Sequence, residues 1–185
     1  MARDGSATNP LLNDAASDLV TVLDGLAPEL NGLMEGEVRF LTVLPPGPVP
    51  VGVPEAEVER VVLALVARMR RCIENGGWML AGVDRTTLLD ADAAPLGLAA
   101  GDYAMLRIAA RFEELARTPP LVKLAAAAAD SMADGLGGRT LRALAARHAG
   151  AIQIEAVPGA GITATLFLRS AQGVRRQLVG GDPQR

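Results

Sequence analysis

Two apolar segments of similar length, separated by a short connection, constrain the fold of this chain more than any other feature. Residues 78–89 and 102–111 have the length and side-chain content of β-strands. The connection between them, residues 90–101, favours an antiparallel pair. A sheet is therefore the first element that the sequence predicts.

The remaining patterns mix helices with further strands. Helical periodicity predicts helices over residues 11–33, 54–73, 121–133 and 139–148. Alternation predicts a strand over 37–44 and a hairpin of strands 152–157 and 162–168. No regular strand–helix–strand repeat occurs, so we predict an α+β fold: a two-layer α/β sandwich with a mixed, mostly antiparallel sheet and helices on one face. The domain is expected over 11–171, with flexible tails at 1–10 and 172–185.

Charge and cysteine content argue against several partners and compartments. The formal net charge is −3 and no block of Lys and Arg occurs, which argues against nucleic acid or an anionic membrane as partner. No apolar run approaches the roughly 20 residues of a membrane span. Cys72 is the only cysteine, and residues 1–9 contain no apolar leader, so we expect a cytoplasmic protein without an internal disulfide. The Ala- and Arg-rich composition is typical of a bacterium of high GC content.

Three motifs near the C-terminus follow one another in a recognisable order. They are a Gly-Leu-Gly turn at 135–137, an Arg-His-Ala-Gly segment at 147–150 and a Pro-Gly-Ala-Gly turn at 158–161. In this order the chain resembles the ATP-binding domain of sensor histidine kinases, of the GHKL superfamily, over residues 12–170. The resemblance implies a Bergerat-type fold with a nucleotide pocket. The chain is also similar to the C-terminal domain of ChpT-type histidine phosphotransferases, although their helix hairpin and phosphoacceptor His have no counterpart here.

The helix predicted over 54–73 matches the helix that carries the N-box of that family. There an Asn side chain binds the Mg²⁺ that bridges the phosphates, since magnesium needs hard oxygen ligands. The matching residue here is Arg68, whose guanidinium carries only donors and cannot bind a cation. One turn earlier Ala64 replaces a second Asn, and one turn later Arg71 replaces an acidic residue. The resemblance therefore implies a helix face that no longer holds Mg-ATP.

The strand predicted over 102–111 leads into the family's Asp-x-Gly-x-Gly motif, whose Asp hydrogen-bonds the adenine amino group. Ala110 matches that Asp and removes the acceptor. Phe112 and Glu114 match the two glycines and add bulk where the backbone approaches the base. Between this motif and Gly135, an Ala-rich segment that favours a packed helix replaces the expected Gly-rich lid.

Gly135 and Gly137 are what remains of the phosphate-binding turn. Their backbone N–H groups could still hold an anion, but we favour a turn that only the fold requires. We hypothesise that Arg68 and Phe112 fill the old pocket. A buried Arg68 would then need a carboxylate partner, for which the sequence offers Glu113, Glu114 or Asp134.

His148 is the only histidine of the chain, and it matches the His at the end of the family's last helix. A structural or capping role is therefore expected for it, rather than phosphotransfer. Without a second His or a Cys cluster, no zinc site is predicted.

Together these substitutions predict a non-catalytic, histidine-kinase-like protein: a pseudo-ATPase that has lost ATP and magnesium and has no catalytic residues or other metal. We expect it to bind a protein of bacterial two-component signalling, namely a response regulator, a kinase or a phosphotransfer protein. Residues 11–33 are a candidate homodimerisation or docking element. Two alternatives stay open: a divergent histidine kinase or phosphotransfer component that retains weak nucleotide binding, and a different small molecule in the remodelled pocket.

Overall fold

A five-stranded sheet with helices packed on one face organises the described part of the chain. The computed structural model describes residues 16–34, 38–71, 73, 76–112, 136–157 and 161–171. Within them the elements are, in chain order, β1 (Ser17–Asp18), α1 (Leu19–Gly32), β2 (Val38–Val43), β3 (Pro50–Val51), α2 (Glu55–Arg70), β4 (Gly77–Leu88), α3 (Asp90–Ala93), a 3-10 helix (Ala94–Leu96), β5 (Gly101–Phe112), α4 (Leu136–Arg147), β6 (Ala151–Val157) and β7 (Gly161–Arg169).

Strand pairing confirms both antiparallel pairs predicted from the sequence. The sheet order is β2-β4-β5-β7-β6. β4 and β5 pair antiparallel along their whole length, from Gly77 opposite Phe112 to Leu88 opposite Gly101. β6 and β7 form the predicted antiparallel hairpin. β2 pairs parallel with β4, and α2 lies in the connection between these two strands, which makes the sheet mixed but mostly antiparallel.

Burial alternates along the strands because only one face of the sheet meets the helices. Met79, Ala81 and Val83 of β4 are buried in the main core, whereas Trp78 and Leu80 are only partly buried. α1, α2 and α4 each face the same core with an apolar stripe. The stripes are made of Leu19, Val22, Leu23, Leu26 and Leu30, of Val58, Val61, Val62, Leu65, Val66 and Met69, and of Leu141, Leu144 and Ala145. The predicted α+β two-layer sandwich is therefore confirmed.

The first helix begins later than its periodicity predicted. α1 begins at Leu19 and not near residue 11. Asp18 is its N-cap: Oδ1 accepts a hydrogen bond from the Val20 N–H, and Oδ2 accepts from the Thr21 N–H and, at 2.7 Å, from the Thr21 hydroxyl. Asp18 also belongs to β1, which pairs antiparallel with β3. The residues directly before α1 are therefore extended and not helical. Residues 11–15, the helix predicted over 121–133 and both predicted tails lie outside the described residues.

The connection 90–101 contains structure that the pattern did not predict. α3 and the 3-10 helix bury Ala93 and bring Leu96 and Leu98 against Tyr103 and Phe167. Phe167 points away from the main core, yet it is only 7% exposed. This connection therefore covers part of the sheet face that the long helices leave open.

Two features of the described residues concern membranes and dimerisation. No helix among them is long and apolar enough to cross a membrane. The apolar stripe of α1 packs into the core of its own chain. Dimerisation through residues 11–33 stays a prediction, and it would have to use the other side chains of that segment.

Candidate functional site

Helix α2 places the three N-box positions beside its buried stripe. Ala64 is exposed, Arg68 is half-buried, and Arg71, which follows the last helical residue, is exposed. Successive members of this set are three or four positions apart, so they lie on one side of the helix. The structure thus brings these three predicted site residues together.

This side of α2 offers donors where a magnesium site needs acceptors. The Nε of Arg71 lies 3.5 Å from the Ala67 carbonyl oxygen. Arg70, on a different side of the helix, donates from Nη1 to the Ile73 carbonyl at 2.8 Å. Guanidinium groups can pair with phosphate oxygens, but they cannot coordinate a cation. Among the residues described, no group of three or more His, Cys, Asp or Glu side chains could hold a metal ion.

Ala110 lies in the core near the end of β5, the strand on which α2 packs. Its side chain is 1% exposed. A methyl group neither donates nor accepts a hydrogen bond, so this position cannot recognise the edge of a base. The backbone is enclosed from both sides, because a side chain at Gly161 would overlap the Ala110 carbonyl and one at Gly77 would overlap the Arg111 carbonyl. The strand end is therefore tightly packed at the position that the sequence resemblance assigns to adenine recognition.

The other predicted site residues are described only in part. Phe112 is the last residue of β5 and its backbone is paired with Gly77, but its side chain lies outside the description. α4 begins at Leu136 with Gly137 in its first turn, three residues before the helix predicted over 139–148, so part of the predicted turn is helical. Gly135 and the three candidate carboxylate partners of Arg68 lie outside the described residues. The hypothesis that Arg68 and Phe112 fill the pocket stays a prediction.

A histidine–carboxylate pair joins the beginning of α2 to the end of α4. His148 Nε2 lies 2.5 Å from Glu57 Oε2, and the two side chains are 20% and 26% exposed. His148 follows the last residue of α4, and its backbone N–H donates to the Ala145 carbonyl at 3.0 Å. The hydrogen bond with His148 lowers the pKa of Glu57; desolvation opposes this, and the charges of His148, Arg147 and Arg60 add to it. This contact agrees with the structural role predicted for His148.

A small apolar cleft lies beside that pair, between α2, α4 and the sheet. It encloses only about 10 Å³, and aliphatic side chains line most of it. Pockets for small molecules and cofactors usually enclose about 300–1,000 Å³ and contain several polar groups. The cleft therefore does not provide a second nucleotide site. Its aliphatic lining consists of Val53, Val58, Val61, Leu144, Ala145, Leu166 and Leu168.

Solved structures of histidine kinases are similar to this chain in fold. One is the mycobacterial sensor histidine kinase MprB, with 16% identity, a TM-score of 0.55, and coverage of 84% of this chain and 96% of that chain. The chain has the fold of a histidine-kinase ATP-binding domain. The histidine kinase AdeS of Acinetobacter baumannii (14% identity, TM-score 0.51, 84% of this chain and 68% of that one) is also similar. So is the histidine kinase domain of the blue-light activated kinase EL346 of Erythrobacter litoralis (12% identity, TM-score 0.55, 91% and 69%).

At this level of identity the kinase likeness establishes the fold and not the chemistry. No protein-family model and no curated protein matches the sequence. The correspondence of Arg68 and Ala110 with the magnesium and adenine positions of the kinase fold therefore still depends on the order of the sequence motifs. What the structure adds is their placement on two elements that pack together.

Glu57 is the residue that sequence reasoning missed. It stands 91 positions before His148, so no local spacing connects the two. The available signal was weak: a carboxylate in the first turn of one helix and a lone histidine at the end of another.

Proposed function

We propose that this chain is a pseudo-ATPase, a histidine-kinase-like domain that binds neither ATP nor magnesium and acts by binding a protein of a bacterial two-component pathway. The observation that carries the proposal is the joint placement of Arg68 on α2 and Ala110 on β5. One supplies a cation where magnesium needs an oxygen ligand, and the other supplies a methyl group where adenine needs an acceptor.

The residues at positions 68 and 110 both weaken the binding of the same ligand, magnesium-bound ATP. A divalent cation near Arg68 and Arg71 meets two positive charges and gains no ligand from them, so its binding is opposed electrostatically. Without the metal, the arginines can still attract the phosphate oxygens of ATP directly. ATP with magnesium and ATP with EDTA therefore need separate measurements.

The protein-binding half of the proposal is an analogy to the kinase fold. The solved structures named above are histidine kinases. A kinase-like domain that has lost nucleotide binding still presents the outer surface of the kinase fold, and that surface is available to bind another protein. Response regulators, kinases and phosphotransfer proteins are the partners that this analogy supports.

Thermal-shift and calorimetric titrations test the nucleotide half. A ligand that binds only the folded state raises its stability by RT ln(1 + [L]/Kd), about 2.7 kcal/mol at a hundredfold excess over Kd. We expect no change in melting temperature and no heat of binding with millimolar Mg-ATP. A stabilisation that appears with Mg-ATP and disappears with EDTA would show that the pocket works and would end this proposal.

A gain-of-function variant is the matched control. Ala64→Asn combined with Arg68→Asn restores two amide oxygens on α2, and both positions are accessible enough to accept the change. Magnesium-dependent nucleotide binding by this variant, absent from the wild type, would attribute the loss to these residues. The single variant Arg68→Lys, which keeps the charge, should behave like the wild type.

The protein half is tested with purified receiver domains, kinases and phosphotransfer proteins of the source organism. Binding of a defined member of this set, measured by calorimetry, supports the proposal. If the whole set fails to bind the full chain, the assignment to two-component signalling is wrong.

A further inference from the structure

The sheet face opposite the helices carries a row of two arginine side chains with a tryptophan side chain between them. Arg39 of β2 is the register partner of Trp78 of β4, and Trp78 is the partner of Arg111 of β5. All three belong to the side-chain set that alternates with the buried core residues, so they project from the open face. Strand spacing places the Cα atoms of Arg39 and Arg111 roughly 10 Å apart.

The row is ordered by a cation–π contact. The guanidinium carbon of Arg111 lies 5.1 Å from the centre of the Trp78 ring, within the range of such interactions. Arg39 and Arg111 are exposed while the indole between them is half-buried. Arg107, four residues before Arg111 on the same strand face, is also exposed. The guanidinium groups thus face solvent around an aromatic platform.

Aliphatic side chains continue this face to the edge of the sheet. Leu80 lies beside Leu41 in the register of β4 and β2, and Leu41 is 53% exposed. Val43, the next outward-facing residue of β2, is 57% exposed. β2 ends the sheet order, and β4 is its pairing partner among the described strands. We call Arg39, Leu41, Trp78, Leu80, Arg107 and Arg111 the basic sheet face.

Among the residues that the structure describes, few carboxylates lie on the same sheet face as the basic sheet face. Within the described residues, none forms an ion pair with Arg39, Arg107 or Arg111. Asp84 lies on the same face of β4, two residues beyond Gly82, the register partner of Arg107, and its carboxylate accepts a hydrogen bond from the Arg85 N–H. Glu155 lies on β6 at the opposite edge and accepts a hydrogen bond from Gln153. Connection 90–101 covers the other part of the open sheet but leaves these arginines exposed.

We propose that the basic sheet face docks an acidic surface of a partner protein that also presents aliphatic side chains. The proposal rests on the proposed function in one respect, that the chain acts by binding a protein. Arginine pairs with carboxylates through two parallel hydrogen bonds, and Leu41, Val43 and Leu80 match an aliphatic neighbour of those carboxylates. Three arginines on a chain of net charge −3 are few for a nucleic acid or a lipid surface, and the exposed aliphatic edge offers nothing to a phosphate backbone.

Trp78 makes the test direct, because it is the only tryptophan in the chain and lies within the proposed surface. The probe is a short Trp-free peptide of alternating Glu and Leu, added to the full chain while Trp emission is recorded. We expect saturable quenching or a spectral shift that weakens as salt is raised. The same peptide with Lys in place of Glu should leave the emission unchanged.

Charge-reversal variants separate this surface from general electrostatic attraction. Arg39→Glu combined with Arg111→Glu should weaken peptide binding roughly tenfold to a hundredfold, and Arg39→Gln with Arg111→Gln should weaken it less. Arg139→Glu, an exposed arginine of α4, is the control and should bind like the wild type. Unchanged melting temperatures show that the variants are folded.

Several outcomes would overturn the assignment. They are no response of Trp78 to the acidic peptide, equal binding by the charge-reversed variant, or preferred binding of oligo-dT or of anionic vesicles. A two-component protein that binds the wild type and the charge-reversed variant equally well would leave the proposed function standing and remove only this surface. Magnesium-dependent ATP binding would contradict the pseudo-ATPase proposal and leave the docking surface standing, since that surface does not involve the nucleotide pocket.

Discussion

Gly161, where β7 begins beside the end of β5, is the position at which one methyl group should cost the most. Its φ of +120° lies in the region that side chains rarely adopt. A Cβ there would overlap the Ala110 carbonyl oxygen and would come within 2.9 Å of its carbon and 3.1 Å of the Arg111 Cα. All three atoms belong to a strand paired on both sides, so the backbone cannot move away freely.

Three contributions set the expected size of Gly161→Ala. Unfavourable φ/ψ costs roughly 1–3 kcal/mol, and an overpacked contact adds about 1–3 kcal/mol. The lower entropy of the unfolded chain returns only about 0.4–1 kcal/mol. We therefore expect a loss of about 3 kcal/mol, which is roughly 6–12 °C in melting temperature for a chain of this size.

Urea denaturation with circular dichroism measures this loss, and a second glycine supplies the control. Gly25 lies in α1 with nothing within 4 Å of its added Cβ. Gly25→Ala should stabilise the chain by about 0.5–1 kcal/mol, because Ala is the better helix former. If Gly161→Ala unfolds at the same urea concentration as the wild type, the packing described at the end of β5 is wrong.

Three further changes follow from contacts described above. Leu65→Ala removes a fully buried side chain of α2 and should cost about 2–5 kcal/mol in urea denaturation, whereas Leu41→Ala on the exposed edge should cost less than about 0.5 kcal/mol. Asp18→Ala removes the N-cap of α1 and the acceptor of the Val49 N–H and should cost about 1 kcal/mol or more; an unchanged midpoint would reject the capping role. Because the pKa of Glu57 is lowered in the folded state, its stabilisation is present above the unfolded value of about 4.3 and is lost as pH falls through the folded value. The melting-temperature difference between wild type and Glu57→Gln should therefore be present at neutral pH and shrink in acid, and a pH-independent difference would exclude this linkage.

Sequence patterns predicted the helices and strand pairs whose contacts join residues that are close together in the chain. The β4–β5 and β6–β7 pairs followed from short connections, and α2 followed from its apolar period. The start of α1 did not, because the apolar periodicity extends to positions before Asp18, whereas the N-cap at Asp18 fixes the first helical residue at Leu19. The packing of connection 90–101 on Phe167 depends on a contact between distant parts of the chain, which no local pattern reports.

In the candidate site too, the sequence predicted what depends on local spacing and did not predict what depends on contacts between distant strands. Motif order pointed to Arg68 and Ala110, and helical spacing alone placed Ala64, Arg68 and Arg71 on one side of α2. The row formed by Arg39, Trp78 and Arg111 was out of reach, because it requires the parallel register of β2 with β4. A one-residue slip in that register would have placed Phe40 beside the indole instead.

The contact between His148 and Glu57 also determines how two helices can separate. Glu57 lies in the first turn of α2 and Arg68 in its last, roughly 16 Å apart along the axis. The two ends of α2 are held by different contacts: Leu65, Val66 and Met69 bury the arginine end in the core, and the pair of Glu57 with His148 adds a polar link at the other end. Loss of the pair would therefore free the start of α2 from the end of α4 and leave the arginine end packed in the core.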